Sequence, residues 1–237
     1  MRTIKQLQSS IQSGEDHLAQ KISCVLFLPA IIASALLFCP TFASAQAASP
    51  AGKRPIESEI AIVSGGSFGA IHVFAFAGDR RINTIGFEYD RNSWGKFLNA
   101  RVDYVGEILP VVLLDEPAHY GLDSRPLPGT TGRQEQFGAG ISPIGVRLRW
   151  KPFHSWQPYL VGKGGVLYYE NRVLSPLATH MNFSAQFGGG VQRPISPRLN
   201  FRFGYSDFHF SNGDITARNP GIDFMYFNAG LSYKLGK

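Results

Sequence analysis

Near the end of the chain, His209 and Ser211 stand two residues apart, and Asp223 follows fourteen residues after the histidine. These three types can do acyl-transfer chemistry together. A serine hydroxyl is a weak nucleophile at its free pKa and needs an adjacent base. Imidazole suits that task near neutral pH, and a carboxylate fixes its tautomer and stabilises the imidazolium. Asp207, two residues before His209, is a second carboxylate that could fill the orienting role. A lone His-x-Ser is a weak motif. From the residues alone, a rim histidine and serine that bond lipid head groups are the simpler reading.

What would position these residues is a set of strands. Period-two alternation recurs along the chain. From Leu199 to Ser206 the odd positions are Leu, Phe, Phe and Tyr, against Asn, Arg, Gly and Ser. From Ile144 to Lys151 the apolar set Ile144, Val146, Leu148 and Trp150 opposes Gly145, Arg147, Arg149 and Lys151. Residues 182–192 and 227–235 repeat the pattern. The polar face is polar in strand after strand, and no amphipathic helix is left to cover the apolar faces. A barrel with lipid outside and polar groups inside resolves both facts. Turn signals predict eight strands, near 57–66, 82–91, 98–109, 139–151, 157–169, 181–192, 199–211 and 223–235. Short connections (90–96, 151–156, 193–198) alternate with longer ones (67–81, 110–138, 170–180, 212–222), as periplasmic turns alternate with external loops. Ile71 to Phe76 could form a strand of its own, which would disturb the count. Gly188, Gly189 and Gly190 fall inside a strand, where they relieve crowding or allow curvature. Following parity, Asp207, His209, Ser211 and Asp223 all land on the lipid-facing side near the outer rim, where ionisable groups need a reason to be.

The first 45 residues read as a secretory signal peptide and the remainder, 46–237, as the barrel. Arg2, Lys5 and Lys21 precede an apolar run that includes Ile31 to Phe38, and Ala43-Ser44-Ala45 supplies a small-residue cleavage site. The charged leader is about 20 residues long, which leaves open a start codon further downstream. A retained N-terminal anchor is the alternative; Pro29, Pro40 and the Ala-x-Ala site favour cleavage. Cleavage would remove both cysteines, Cys24 and Cys39, and with them any disulfide, thiolate metal site or thiol nucleophile. It would also lower the net charge by one from the whole chain's +6, too small an excess to argue for nucleic acid. The six histidines show no ligand spacing, so neither a metal nor a cofactor is expected.

Residues 209–223 read His-Phe-Ser-Asn-Gly-Asp-Ile-Thr-Ala-Arg-Asn-Pro-Gly-Ile-Asp. This segment resembles the active-site hairpin of the outer-membrane lipid A 3-O-deacylases (PagL-like, acyloxyacyl hydrolase-type): His-aromatic-Ser-Asn, a loop, then Asn-x-Gly-Ile and the acid. Residues 138–145, Gly-Ala-Gly-Ile-Ser-Pro-Ile-Gly, resemble a recurrent strand of the wider family. The resemblance implies Ser211 as nucleophile, His209 as general base and Asp223 as orienting acid; Asp207, outside the matching segment but on the same face, is the alternative acid. It implies Asn219 as an oxyanion donor, and the backbone N–H of Asn212 could add to it; a loop asparagine stabilising its turn is the other reading of Asn212. Gly213 and Gly221 read as turn residues. Two departures stand out. Some family members carry glutamate where this chain has Asp223, and the chain ends Tyr-Lys-Leu-Gly-Lys rather than on an aromatic residue. The implied substrate is lipid A of lipopolysaccharide in the outer leaflet, cleaved at an ester-linked primary acyl chain of the 3-position. Arg80, Arg81, Arg125, Arg133, Arg172 and Arg218 fall in expected external loops and could meet its phosphates; ordinary solvated loop arginines are the other reading for any one of them. Whether the protein acts alone or as a homodimer is left open. The competing functions are a non-catalytic outer-membrane barrel with an adhesive or membrane-stabilising role, and a small pore, which eight strands disfavour.

Overall fold

A computed structural model describes residues 57–71, 73–75, 77–215 and 221–235. The expected signal peptide lies outside the described residues. Eight antiparallel strands close on themselves: β1 (Ser58–Ile71), β2 (Arg81–Phe97), β3 (Ala100–Pro117), β4 (Arg133–Arg149), β5 (Gln157–Tyr169), β6 (Met181–Pro194), β7 (Leu199–Ser211) and β8 (Ile222–Leu235). Each pairs with its sequence neighbours, and β1 pairs with β8. Closure leaves no unpaired edge, which a sheet within lipid requires.

Several boundaries differ from expectation. The short connection expected at 90–96 is strand. The chain instead reverses at Leu98 and Asn99, whose φ angles are 49° and 62°. A two-residue reversal with both φ positive matches strand twist, but leucine is an uncommon residue there. β3 runs on to Pro117 and β4 begins at Arg133, so the connection expected at 110–138 shrinks to 118–132. β1 continues to Ile71, and residues 73–75 form no strand, so the count of eight is undisturbed. Gly188 behaves as a crowding site: a Cβ there would meet Tyr205 O and Ser206 Cβ on β7.

The outer wall is apolar, with Ile60, Ile62, Phe87, Ile108, Phe187 and Phe203 exposed. The interior has two zones. Toward the short-turn end it is charged, as the alternation predicts. Arg147 bonds Glu88 at 2.8 Å and Asp90 at 2.6 Å, Arg149 bonds Glu59 at 2.9 Å, and Lys163 bonds Glu107 at 2.6 Å. Arg202 reaches from β7 to Glu59 at 2.6 Å and Glu88 at 3.1 Å, and also contacts Asp90. Buried charges persist when paired in this manner. Toward the long-loop end the inward face turns apolar, contrary to the expectation of a polar lining throughout. Val112, Leu114, Tyr169, Phe208, Phe210 and Phe224 pack there beneath Val173 and Leu174 of the β5–β6 loop. The inward parity of β7 thus passes from Arg202 through Ser206 to Phe208 and Phe210, while its outward parity carries Phe203, Tyr205, Asp207, His209 and Ser211.

Candidate active site

The last hairpin sets the geometry. In the β7–β8 register His209 and Asp223 are direct partners, so their side chains leave the same face of the sheet. His209 Nδ1 lies 2.6 Å from Asp223 Oδ1. An ionised carboxylate can only accept, so Nδ1 carries a proton, and in the neutral ring Nε2 is the nitrogen with the lone pair. The aspartate has enough reach because no register offset separates the pair. Its burial also differs from its partner's: Asp223 is 0% exposed, whereas 24% of the His209 side chain is exposed. The acid is screened and the base is accessible.

The screen is a part of the chain to which sequence reasoning gave no role. The backbone N–H groups of Val73, Phe74 and Ala75, in the β1–β2 connection, all donate to Asp223 Oδ2, those of Val73 and Ala75 at 3.0 and 2.7 Å. Ala77 N–H donates to Gly221 O at 3.2 Å and ties the same connection to the start of β8. A backbone amide has no residue-type signature, and this one sits some 150 positions from the acid. The only available signal was a carboxylate on a lipid-facing wall, which must find donors somewhere.

Ser211 ends β7 on the same outward parity, half-buried, and accepts a hydrogen bond from Gly213 N–H at 3.4 Å. No hydrogen bond joins Ser211 to His209 among the described residues, but both border one point. A Cβ at Gly221 would lie 3.2 Å from His209 Cε1, 3.3 Å from Ala75 Cβ and 3.4 Å from Ser211 Cβ. Gly221 has φ +60° and Gly213 φ +62°, so both are turn residues as expected, and Gly221 in addition leaves room for the site. Asn212 is buried, and its Oδ1 accepts Asp214 N–H at 3.1 Å, which puts its side chain in the turn. Asn219 lies outside the described residues.

Asp207 shares the outward parity, opposite Met225 and Phe187. It makes no bond to His209. Its Oδ1 is buried and has no hydrogen-bond partner among the described residues. Of the arginines expected in external loops, Arg80 is withdrawn: it is 1% exposed and bonds Glu116, Gly78 O and Ser124 O. Burial with three partners removes it from any outward surface. Arg133 is half-exposed and paired with Asp79 at 3.0 Å and Asp115 at 2.8 Å. Arg125 is exposed, 3.7 Å from Asp123. Arg218 lies outside the described residues.

Comparison with known proteins gives one family. The family model described as lipid A 3-O-deacylase (PagL) matches residues 117–232, a stretch that carries β4 to β7 and most of β8, with His209, Ser211 and Asp223 among its residues. No curated protein sequence matches the chain. Among solved structures, that of the outer membrane enzyme PagL is 14% identical, covering 76% of this chain and 99% of its own, with a TM-score of 0.45. Neisserial surface protein A is 10% identical over 76% and 96%, TM-score 0.41. The attachment invasion locus protein Ail of Yersinia pestis is 11% identical over 77% and 100%, TM-score 0.41.

Proposed function

From the match of residues 117–232 to the lipid A 3-O-deacylase (PagL) family, we propose that this chain is an outer-membrane serine esterase that removes an ester-linked primary acyl chain, at the 3-position, from lipid A of lipopolysaccharide. The observation that carries the reading is the His209–Asp223 pair on the outward face of the last hairpin, beside Ser211. A barrel wall is a poor place for an ionisable pair unless its partner is amphipathic. A glycolipid of the outer leaflet is such a partner: its head group lies at the loops, its chains run down the apolar wall, and its ester bonds sit at the level between.

In the proposed reaction the Ser211 hydroxyl rotates toward His209 and Nε2 takes its proton as Oγ attacks the ester carbonyl. Asp223 stabilises the resulting imidazolium without itself taking the proton. Asn219 and the backbone N–H of Asn212 are the assigned donors to the oxyanion, each such donor typically giving about 10²–10³ in rate. His209 then returns the proton to the leaving sugar oxygen, and an acyl group remains on Ser211. Water, deprotonated by the same Nε2, cleaves that ester and releases the free fatty acid.

The test is mass spectrometry of lipid A from cells making the wild-type protein or Ser211→Ala, with folding of both checked by the heat-dependent gel shift of a barrel. Wild type should yield lipid A lacking one ester-linked acyl chain, and the variant should not. Unchanged lipid A in the presence of folded wild-type protein would return the chain to the non-catalytic reading, a small adhesive or membrane-stabilising barrel.

A further inference from the structure

The β1–β2 connection meets the hairpin with its backbone. Three successive amides, those of Val73, Phe74 and Ala75, converge on a single oxygen of Asp223 while the other oxygen faces His209. Consecutive N–H groups turned to one point form an anion-binding nest, and several backbone donors on one carboxylate favour its charged form. The nest also restricts rotation: an aspartate held through Oδ2 presents Oδ1 in one direction, and that direction is the imidazole. The segment is anchored at its far end by Ala77 N–H on Gly221 O. Val73 and Phe74 turn their side chains outward, 55% and 56% exposed. The segment therefore has a polar backbone face on the acid and an apolar face toward the surroundings.

We propose that residues 73–75 are a positioning element for the catalytic acid. Their amides hold Asp223 as an anion in the one rotamer that reaches His209 Nδ1, and so fix the tautomer that leaves Nε2 free to act as base. This accounts for a side chain one methylene shorter than glutamate serving at this position: the shorter acid is clamped from behind. The inference rests on the deacylase reading of the site.

The test uses the refolded full chain in detergent micelles containing lipopolysaccharide. Phe74→Pro deletes one amide donor, and Phe74→Ala keeps it while removing the same ring. Phe74→Pro should lower kcat by about 100-fold, the scale of loss for a small misplacement of a catalytic group, with KM little changed, and Phe74→Ala should retain more activity than Phe74→Pro. Because the amide acts only through Asp223, the double variant Phe74→Pro/Asp223→Asn should be no slower than Asp223→Asn alone. If the two losses multiply while wild type is active, the positioning role is overturned and the deacylase reading stands. If folded wild type releases no fatty acid, the deacylase reading fails and this inference fails with it. Should Phe74→Pro not fold, amide hydrogen exchange of residues 73–75 decides. Exchange at least about tenfold faster in Asp223→Ala, which removes the acceptor, than in wild type, a loss of local protection, supports the clamp, and equal exchange overturns it.

Discussion

Asp223 and His209 face each other as direct partners across the β7–β8 ladder, with 2.6 Å between Oδ1 and Nδ1. The pair needs no loop to bring it together, since strand register alone does so. Asp223→Asn should therefore leave the barrel folded, because the ladder is untouched, but reverse the hydrogen bond and favour the wrong tautomer. We expect deacylation to fall by about 10⁴-fold, the effect of the same change in a serine protease triad, as measured by fatty acid release from lipopolysaccharide.

Asp207 gives the contrasting result. It lies two residues along the same face, yet has no bond to His209 and carries a buried, unpartnered oxygen. Asp207→Leu should keep deacylation at the wild-type order of magnitude and raise the urea midpoint of unfolding, by a stability change of about 1–3 kcal/mol, the usual cost of an unsatisfied buried polar group. Loss of activity as severe as that of Asp223→Asn would make Asp207 the orienting acid instead.

Gly221 borders His209, Ser211 and Ala75 and has a positive φ. In Gly221→Ala the new methyl group would meet His209 Cε1 at 3.2 Å and strain the backbone as well. The left-handed conformation should cost about 1–2 kcal/mol of stability, and displacement of the ring should lower kcat by about 100-fold. Steady-state kinetics alongside urea titration would separate the two effects; an active, destabilised variant would show that the histidine has room to move.

Arg202 spans the interior from β7 to Glu59 and Glu88. Arg202→Ala takes one guanidinium from Glu59, Glu88 and Asp90, which keep Arg147 and Arg149 as partners, and leaves the buried cluster one positive charge short; it should cost about 3–5 kcal/mol, read from reversible urea unfolding in detergent. A smaller change would mean that water enters the interior and screens the acids.

The alternation of β7 discloses its own orientation. Phe203 and Tyr205 face outward and Arg202 and Ser206 inward, and that parity carries His209 and Ser211 to the wall. The β2–β3 hairpin was illegible because its turn is made by Leu98 and Asn99 without glycine. The outer half of β3 was illegible for a different reason. Val112 and Leu114 face an apolar interior, so the two faces of the strand no longer differ in type. In the site, side chains were legible because chemistry restricts which residues can serve. The amides of residues 73–75 were not, because any residue but proline offers the same donor.

The two-zone interior has a consequence for the supply of reactant. Ion pairs cross the barrel from wall to wall at one end, and aromatic and aliphatic side chains fill the other beneath the β5–β6 loop. Among the described residues, side chains thus fill the interior at both ends. In the proposed hydrolysis, the water that frees the enzyme from its acyl group therefore reaches Ser211, at the loop end of β7, past the sugar that has just departed.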